Sequence, residues 1–336
     1  MATVWFLLIL LCLLLYVVLD GYDLGIGIAT LVEPDADHRH EMLEVVAQAW
    51  DGNETWLVLL GVSLWAGFPA AFGVMLPHAY LPVVVMLFGL IVRGVSVEMA
   101  SQAHPAPRWE RAFGVASLVA ALAQGLAVAT ATAHLTVVEG AFSGSPFGAM
   151  SWFSALTAVT VVCGYLALGY AYTKWKATGE LRARAGRRGT VSAGLASLLA
   201  IICLLEVGST ATPLSLHGSA QIIAFAGLLL FAVAGVVMSV LTLRPSSQYD
   251  GMPLAGLVTA VVALVIAVVV ARYPVLASPG LTLTNTAAPS GTLAFLAVGI
   301  GLNVPLILFY NWFAHHAFRG KLPAHHLSNG TTGVTR

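Results

Sequence analysis

The stretch Ala49–Trp65, AWDGNETWLVLLGVSLW, puts two carboxylic acids and an amide at the start of a run apolar enough to lie in lipid. Asp51 and Glu54 are three residues apart, so on a helix they share a face. Two chemistries suit such a pair. Asp51 as an N-cap, with Glu54 three residues on, makes a capping-box-like helix start. Alternatively, two adjacent carboxyls at the edge of an apolar phase can collect protons and pass them on. The residue types leave both open.

Four more charges lie inside apolar runs. Asp20 and Asp23 sit in LDGYDLGIG, again three residues apart, and Arg93 and Glu98 sit in LIVRGVSVEM. Buried in lipid, each charge costs a few kcal/mol unless it is paired or lines a wet cavity. One arginine cannot neutralise five acids, so some of the acids must be protonated, hydrated or near the interface. Pairing of Asp20 or Asp23 with Arg93 would hold helices together. The glycines of DGYDLGIG would let backbones approach closely.

The elements that must position these groups are membrane helices. Of 336 residues, 59% are hydrophobic and 9% charged, the composition of a polytopic membrane protein. Spanning runs are expected at 3–28, 52–75, 79–98, 112–134, 150–172, 190–207, 217–243, 253–273 and 290–316, nine in all, with a tight hairpin at MLPHAY between the second and third. The N-terminal run lacks a basic start and a cleavage site, and is expected to be retained as the first span. Thirteen of the fifteen basic residues then fall on one side, in the loops after spans one, three, five and seven and in the C-terminal tail. The positive-inside rule places the N-terminus outside and the C-terminus in the cytoplasm. On that orientation Asp20 lies roughly 25 Å from the outer end of span one. Asp20, Asp23, Asp51, Glu54, Arg93 and Glu98 then converge near the cytoplasmic boundary.

Other features read blandly. Fifteen basic and fifteen acidic residues cancel and give no reason to expect nucleic acid. Cys12, Cys163 and Cys203 lie in apolar runs as small hydrophobes. The basic segment 174–189 is expected to be a solvated, orienting loop between two halves, touching anionic lipid. NET at 53–55 matches a glycosylation sequon but lies on the cytoplasmic edge. His78, His134 and His217 fall at outer helix ends, and His315 and His316 at an inner one, so no matched axial pair for an internal haem is evident. His325 and His326 in the polar tail lack partner ligands.

LDGYDLGIG, WDGNETWLV, FPAAF and RGVSVE occur in an order and spacing that resemble subunit II of the cytochrome bd quinol oxidases, including the cyanide-insensitive branch. The match is dense over residues 16–98 and rests on helix count and length beyond. It departs after RGVSVE, where Met99 and Ala100 replace an expected aromatic and basic residue. The resemblance implies an all-α membrane protein of two four-helix bundles plus a peripheral helix. Residues 1–134 would form the charged N-terminal bundle, 135–316 the remaining helices and 317–336 a cytoplasmic tail. It also implies a haem-bearing subunit I as partner, with two haems b, haem d and the quinol site. The complex would oxidise quinol and reduce dioxygen to water in a prokaryotic plasma membrane, drawing its protons from the cytoplasm. No cofactor is expected on this chain alone, although a structural quinone or lipid, and a small accessory subunit, are compatible with the family. A proton path would begin at Asp51, with Glu54 on the same face. Trp50, Gly52 and Asn53 belong to the same motif, and Trp56 is similar to a residue near a proposed oxygen path.

Two other classes fit some of these residues. A proton-coupled carrier would also bury acids around an arginine, but its charges should sit at the midplane. A scaffold subunit would use the same charges only to lock helices.

Overall fold

The computed structural model describes every residue except 49, 103–105, 134, 146, 210–215, 217, 278–279, 318–319 and 322–336. His134, His217, Arg319, Arg336 and the His325–His326 tail segment therefore lie outside the described residues. The order is α1 (Ala2–Thr30), α2 (Ala36–Ala47), α3 (Trp50–Gly67), α4 (Pro69–Gln102), α5 (Pro107–Ala129), a hairpin of β1 (Val137–Val138) and β2 (Ala141–Phe142), then α6 (Trp152–Lys176), α7 (Gly179–Ser209), α8 (Ser219–Leu243) and α9 (Met252–Arg272). A second hairpin of β3 (Val275–Ala277) and β4 (Leu281–Thr282) follows, then α10 (Leu283–Thr286) and α11 (Ser290–Ala317).

Among the described residues, eight helices are long and apolar enough to cross a membrane: α1, α4 to α9 and α11. The second expected span, 52–75, is shorter than its run. It ends at Gly67, and α4 begins two residues later. Asp51, Asn53 and Glu54 take up much of the start of this 18-residue helix, and α3 is not among the eight.

The expected hairpin at MLPHAY is not there. Pro77 and Pro82 lie inside α4, which runs continuously for 34 residues, and the chain turns instead at Phe68. The lengths explain why. A Cβ on Gly94 would stand 3.0 Å from the Trp50 ring, so the two residues are level. Phe68 is 18 residues from Trp50 but 26 from Gly94, or about 27 and about 39 Å of helix. The first two turns of α4 absorb the excess. There Phe68, Ala71 and Val74 are fully buried, and Val74 packs with Leu135 and Ala277 of the connecting loops. Pro77 and Pro82 each remove a backbone hydrogen bond from α4 without ending it.

α1 is the centre of the packing. Every residue from Asp20 to Thr30 is buried. Gly25 and Gly169 bring α1 and α6 into backbone contact, since a Cβ on either would overlap main-chain atoms of the other helix. Gly27 leaves room for the Ser117 and Phe113 side chains of α5, which a Cβ there would meet. The glycines of DGYDLGIG serve packing, as their spacing suggests.

The basic segment 174–189 is not a solvated loop. Only Ala177 and Thr178 separate α6 from α7, and four of the basic side chains, Lys174, Arg182, Arg184 and Arg188, bond other parts of the protein. Lys174 is fully buried and donates to the Thr242 and Arg244 carbonyls at the end of α8. Arg184 and Arg188 grip Glu33, just past α1, with Arg188 at 2.8 Å. Arg39 bridges Glu110 Oε2 at 3.0 Å and the Glu33 carbonyl at 3.0 Å. Arg182 and Lys321 both donate to Asp250, at 2.8 and 2.5 Å. Burial pushes the Asp250 carboxyl up, but these hydrogen bonds outweigh it and hold the group below its usual range. Charge runs look solvated in a sequence because their partners lie on other helices.

The short helix α2 was not legible as a span and is not one. Asp35 caps it, accepting from Asp37 and His38 N–H at 2.9 and 3.2 Å. The bond from His38 N–H leads in holding the Asp35 carboxyl below its usual range. Met42, Leu43, Val45 and Val46 then bury one face of α2 in the main core.

Candidate functional site

Arg93, on α4, has no exposed surface and forks between two helices. Its Nη1 donates to Asp20 Oδ1 at 2.5 Å and its Nη2 to Glu54 Oε2 at 3.0 Å. The Asp20 side chain is fully buried, whereas that of Glu54 keeps 27% of its surface exposed. The guanidinium thus joins a half-open carboxylate on α3 to a closed one on α1. A planar fork suits this task better than a lysine point charge.

Asp23 takes a different partner. Asn53 Nδ2 donates to Asp23 Oδ2 at 2.8 Å and to Tyr22 Oη at 2.9 Å. Tyr22 in turn stacks on Tyr172 with ring centroids 4.2 Å apart. Asp20 and Asp23 are three residues apart, about 60° around the helix. That offset sends one to α4 and the other to α3. The sequence left the choice between them for Arg93 open, and the structure gives Arg93 to Asp20.

Asp51 is exposed and lies inside the first turn of α3. The helix starts at Trp50, two residues earlier than the N-cap reading requires. Asp51 therefore meets the positive end of the helix dipole from within the helix. Glu98 is exposed on α4 and accepts from Gln102 Nε2 at 2.8 Å. The structure places it away from the fork that Arg93 makes, unlike the shared cluster expected from depth alone. Trp50 lies against Gly94, and Trp56 is wholly buried beside Cys12 and Tyr16. At Gly52 a Cβ would come within 3.0 Å of the Tyr310 ring, so α11 packs closely on the WDGN turn, and Asn311 Nδ2 reaches the Gly52 carbonyl at 3.5 Å.

A second polar layer was missed in the sequence. Gln124 of α5 donates to Tyr16 Oη at 2.6 Å and accepts from Tyr165 Oη at 2.7 Å. A lone amide in the apolar run 112–134 was the available signal, since a buried amide needs partners. Tyr16 precedes Asp20 by four residues, on the same face.

The described histidines are placed for other work. His38 and His40 face Glu33 and Glu44, His78 packs edge-on against Phe142, and His316 stacks on Trp312. They present no facing axial pair, and among the described residues no group of three or more His, Cys, Asp or Glu could hold a metal ion.

Comparison with known proteins finds relatives in both sequence and fold. The chain is 24% identical over 217 residues to the cytochrome bd-I ubiquinol oxidase subunit 2 of Escherichia coli strain K12, which covers 61% of this chain and 55% of the relative. It is 33% identical over 95 residues to the cytochrome bd ubiquinol oxidase subunit 2 of Bacillus subtilis, 28% of each chain. The aligned part thus spans about half the length of the first of these relatives and less of the second. A solved chain from the bd oxidase of Geobacillus thermodenitrificans shares the fold with a TM-score of 0.75 at 17% identity, covering 93% of this chain and 98% of that one. The family model described as cytochrome bd terminal oxidase subunit II matches residues 1–318. With nearly the whole chain matched, this protein belongs to the cytochrome bd terminal oxidase subunit II family.

Proposed function

We propose that this chain is the haem-free subunit of a membrane quinol oxidase that reduces dioxygen to water. Its partner is a haem-bearing subunit I, and its acids on α1 and α3 take up cytoplasmic protons for that reaction. The haems of subunit I supply the electron transfer; this chain binds and hands on protons. The observation that carries the reading is the ion-pair chain that joins partly exposed Glu54, by way of the always-charged Arg93, to Asp20 with no exposed surface. A structural ion pair has no need of an open end.

Three carboxyls, Asp20, Asp23 and Glu54, lie around a single guanidinium that pairs with only Asp20 and Glu54. The charge count requires protons as counterions, and those protons exchange through the Glu54 side. Asp51, exposed one turn before Glu54, collects them from water. In this reading α3 is the ninth crossing. The helices α1, α3, α4 and α5 form the charged bundle, α6 to α9 the second, and α11 the peripheral helix. The N-terminus lies outside and the tail in the cytoplasm of a prokaryotic cell. A reporter active only outside the cell, fused after Arg336, is expected to stay dark; a bright fusion would reverse the orientation and with it the proton source.

Asp51→Asn tests the function. The side chain is exposed, so the substitution should move stability by no more than about 0.5 kcal/mol. The purified complex is expected to retain its second chain and its haem absorption bands but to consume oxygen more slowly with quinol. The loss should be smaller than the ~100-fold typical of a proton donor at the reacting atoms, since water can partly replace a collector. Parental oxygen consumption in a fully assembled Asp51→Asn complex would remove Asp51 from the path. Absence of a haem-bearing partner would remove the oxidase reading altogether.

A further inference from the structure

Eight buried side-chain polar atoms have no hydrogen-bond partner among the described residues, and five of them line one seam. They are Asp20 Oδ2 on α1, Arg93 Nε on α4, and Asn53 Oδ1, Trp56 Nε1 and Ser63 Oγ on α3. All five residues have no exposed surface. An unpaired buried polar group costs about 1–3 kcal/mol, so five on one seam would be a heavy burden for a membrane bundle. The chemistry that answers such a row is bound water, which typically makes about three hydrogen bonds to buried polar groups.

The helix geometry puts these atoms along two facing stripes, with Leu60, Cys12 and Ile9 packed between Trp56 and Ser63. On α3, Asn53, Trp56, Ser63 and Gly67 fall within about 80° of one another at 100° per residue. On α1, Asp23, Asp20, Tyr16, Cys12, Ile9 and Trp5 do likewise. These two faces meet: Asn53 bonds Asp23, Trp56 packs with Tyr16 and Cys12, and Gly67 lies under the Trp5 ring. Ser63 is also unlike the other helical serines. Ser96, Ser117 and Ser197 each donate to the carbonyl four residues back, at 2.6, 2.8 and 2.7 Å, and Ser63 does not.

The two ends differ. At one end the seam reaches Glu54, whose side chain is 27% exposed. Beyond Ser63 it meets Trp5, Ile9, Phe68 and Leu293, a buried apolar cluster in which Trp5 Nε1 is already satisfied by the Leu293 carbonyl at 2.9 Å. We infer that α1 and α3 enclose a file of bound water, open at Glu54 and sealed by the Trp5 cluster. It extends the proton route past the acid cluster to Ser63, about 15 Å beyond Asn53. The file rests on the proton-uptake reading for its purpose but not for its existence. A one-sided file lets protons exchange with a single compartment. The apolar seal keeps the same seam from short-circuiting the membrane.

Trp5 and Trp56 provide an internal control, being equally buried and differing in whether the indole N–H has a protein partner. X-ray pulses split bound water into radicals that oxidise only side chains in contact with it. In the purified wild-type complex, Trp56 is expected to be oxidised several-fold faster than Trp5. A Ser63→Cys variant, near-isosteric, is expected to gain oxygen at position 63 with a comparable dose response. Equal, slow oxidation of Trp5 and Trp56 would overturn the file, whatever the oxidase activity. Oxidation of Trp56 with none at position 63 would overturn its depth. A water-oxidised seam in a complex that lacks quinol oxidase activity would support the file and sink the function proposed above instead.

Discussion

Replacing Arg93 by Met is expected to abolish assembly of the complex or to lower its thermal midpoint sharply. Met matches much of the length of Arg and adds no polar group. It leaves Asp20 at 0% exposure without its cation and frees Glu54 toward water. Breaking a buried ion pair by removing one partner typically costs 3–5 kcal/mol, roughly half or more of a small domain's whole stability. Arg93→Lys should fall between, because one ammonium cannot hold two carboxylates in the fork geometry. The double variant Asp20→Asn with Arg93→Met removes both charges, and is expected to recover much of the assembly. It should not recover oxygen consumption, because the proton path loses the titratable carboxyl of Asp20. Measurement of complex yield and thermal midpoint checks the first half, and quinol-driven oxygen uptake checks the second. Parental yield and midpoint in Arg93→Met alone would show that the fork is not structural.

A comparable loss is expected from one methyl group at Gly25. Its Cβ would coincide with the Tyr165 backbone carbonyl on α6, and no side-chain rotation relieves a clash with main chain. The helices must separate, and Asp20 and Asp23 move with α1. Overpacking usually costs 1–3 kcal/mol, and a backbone obstacle puts Gly25→Ala at or above ~3 kcal/mol. Gly164→Ala on α6 is the matched control. Nothing lies within 4 Å of its Cβ, so the change should be neutral or stabilising by up to about 1 kcal/mol through helix propensity. Thermal unfolding of the two variants in one detergent decides the matter; equal midpoints would dismiss the close α1–α6 approach.

The difference between Gly25 and Gly164 shows what a sequence can and cannot carry. Both sit in apolar runs, and only the facing helix tells them apart. Apolar length and acid spacing made α1 and its charged end legible, and the rarity of charge singled out Asp20, Asp23, Glu54 and Arg93. Which acid meets Arg93 was not legible, because a 60° offset decides it. Glu98 shares the depth of the cluster but points elsewhere, since depth fixes one coordinate and helix rotation another. Asp51 could not be separated from an N-cap by spacing alone, because a start two residues earlier moves it inside the helix. MLPHAY misled because proline near a membrane edge suits both a turn and a bend. The arginines of α7 looked solvated, as their partner Glu33 lies more than 150 residues earlier.

The Asp20–Arg93 pair also sets a timetable for synthesis. The two residues are 73 apart in the chain. At 5–20 residues per second, α1 exists for about 4–15 s before its cation is made. During that wait the helix must hold itself in the bilayer. At the full helix-centre rate two aspartates would cost it about 5–7 kcal/mol, an upper bound for residues near its inner end, and the twelve Leu, Ile, Phe and Val residues from Phe6 to Leu19 return about 4–7 kcal/mol. The leucine-rich half of α1 is therefore ballast for the acidic half. Thinning it with alanines should leave the finished complex well packed, yet lower how often a nascent chain reaches that state.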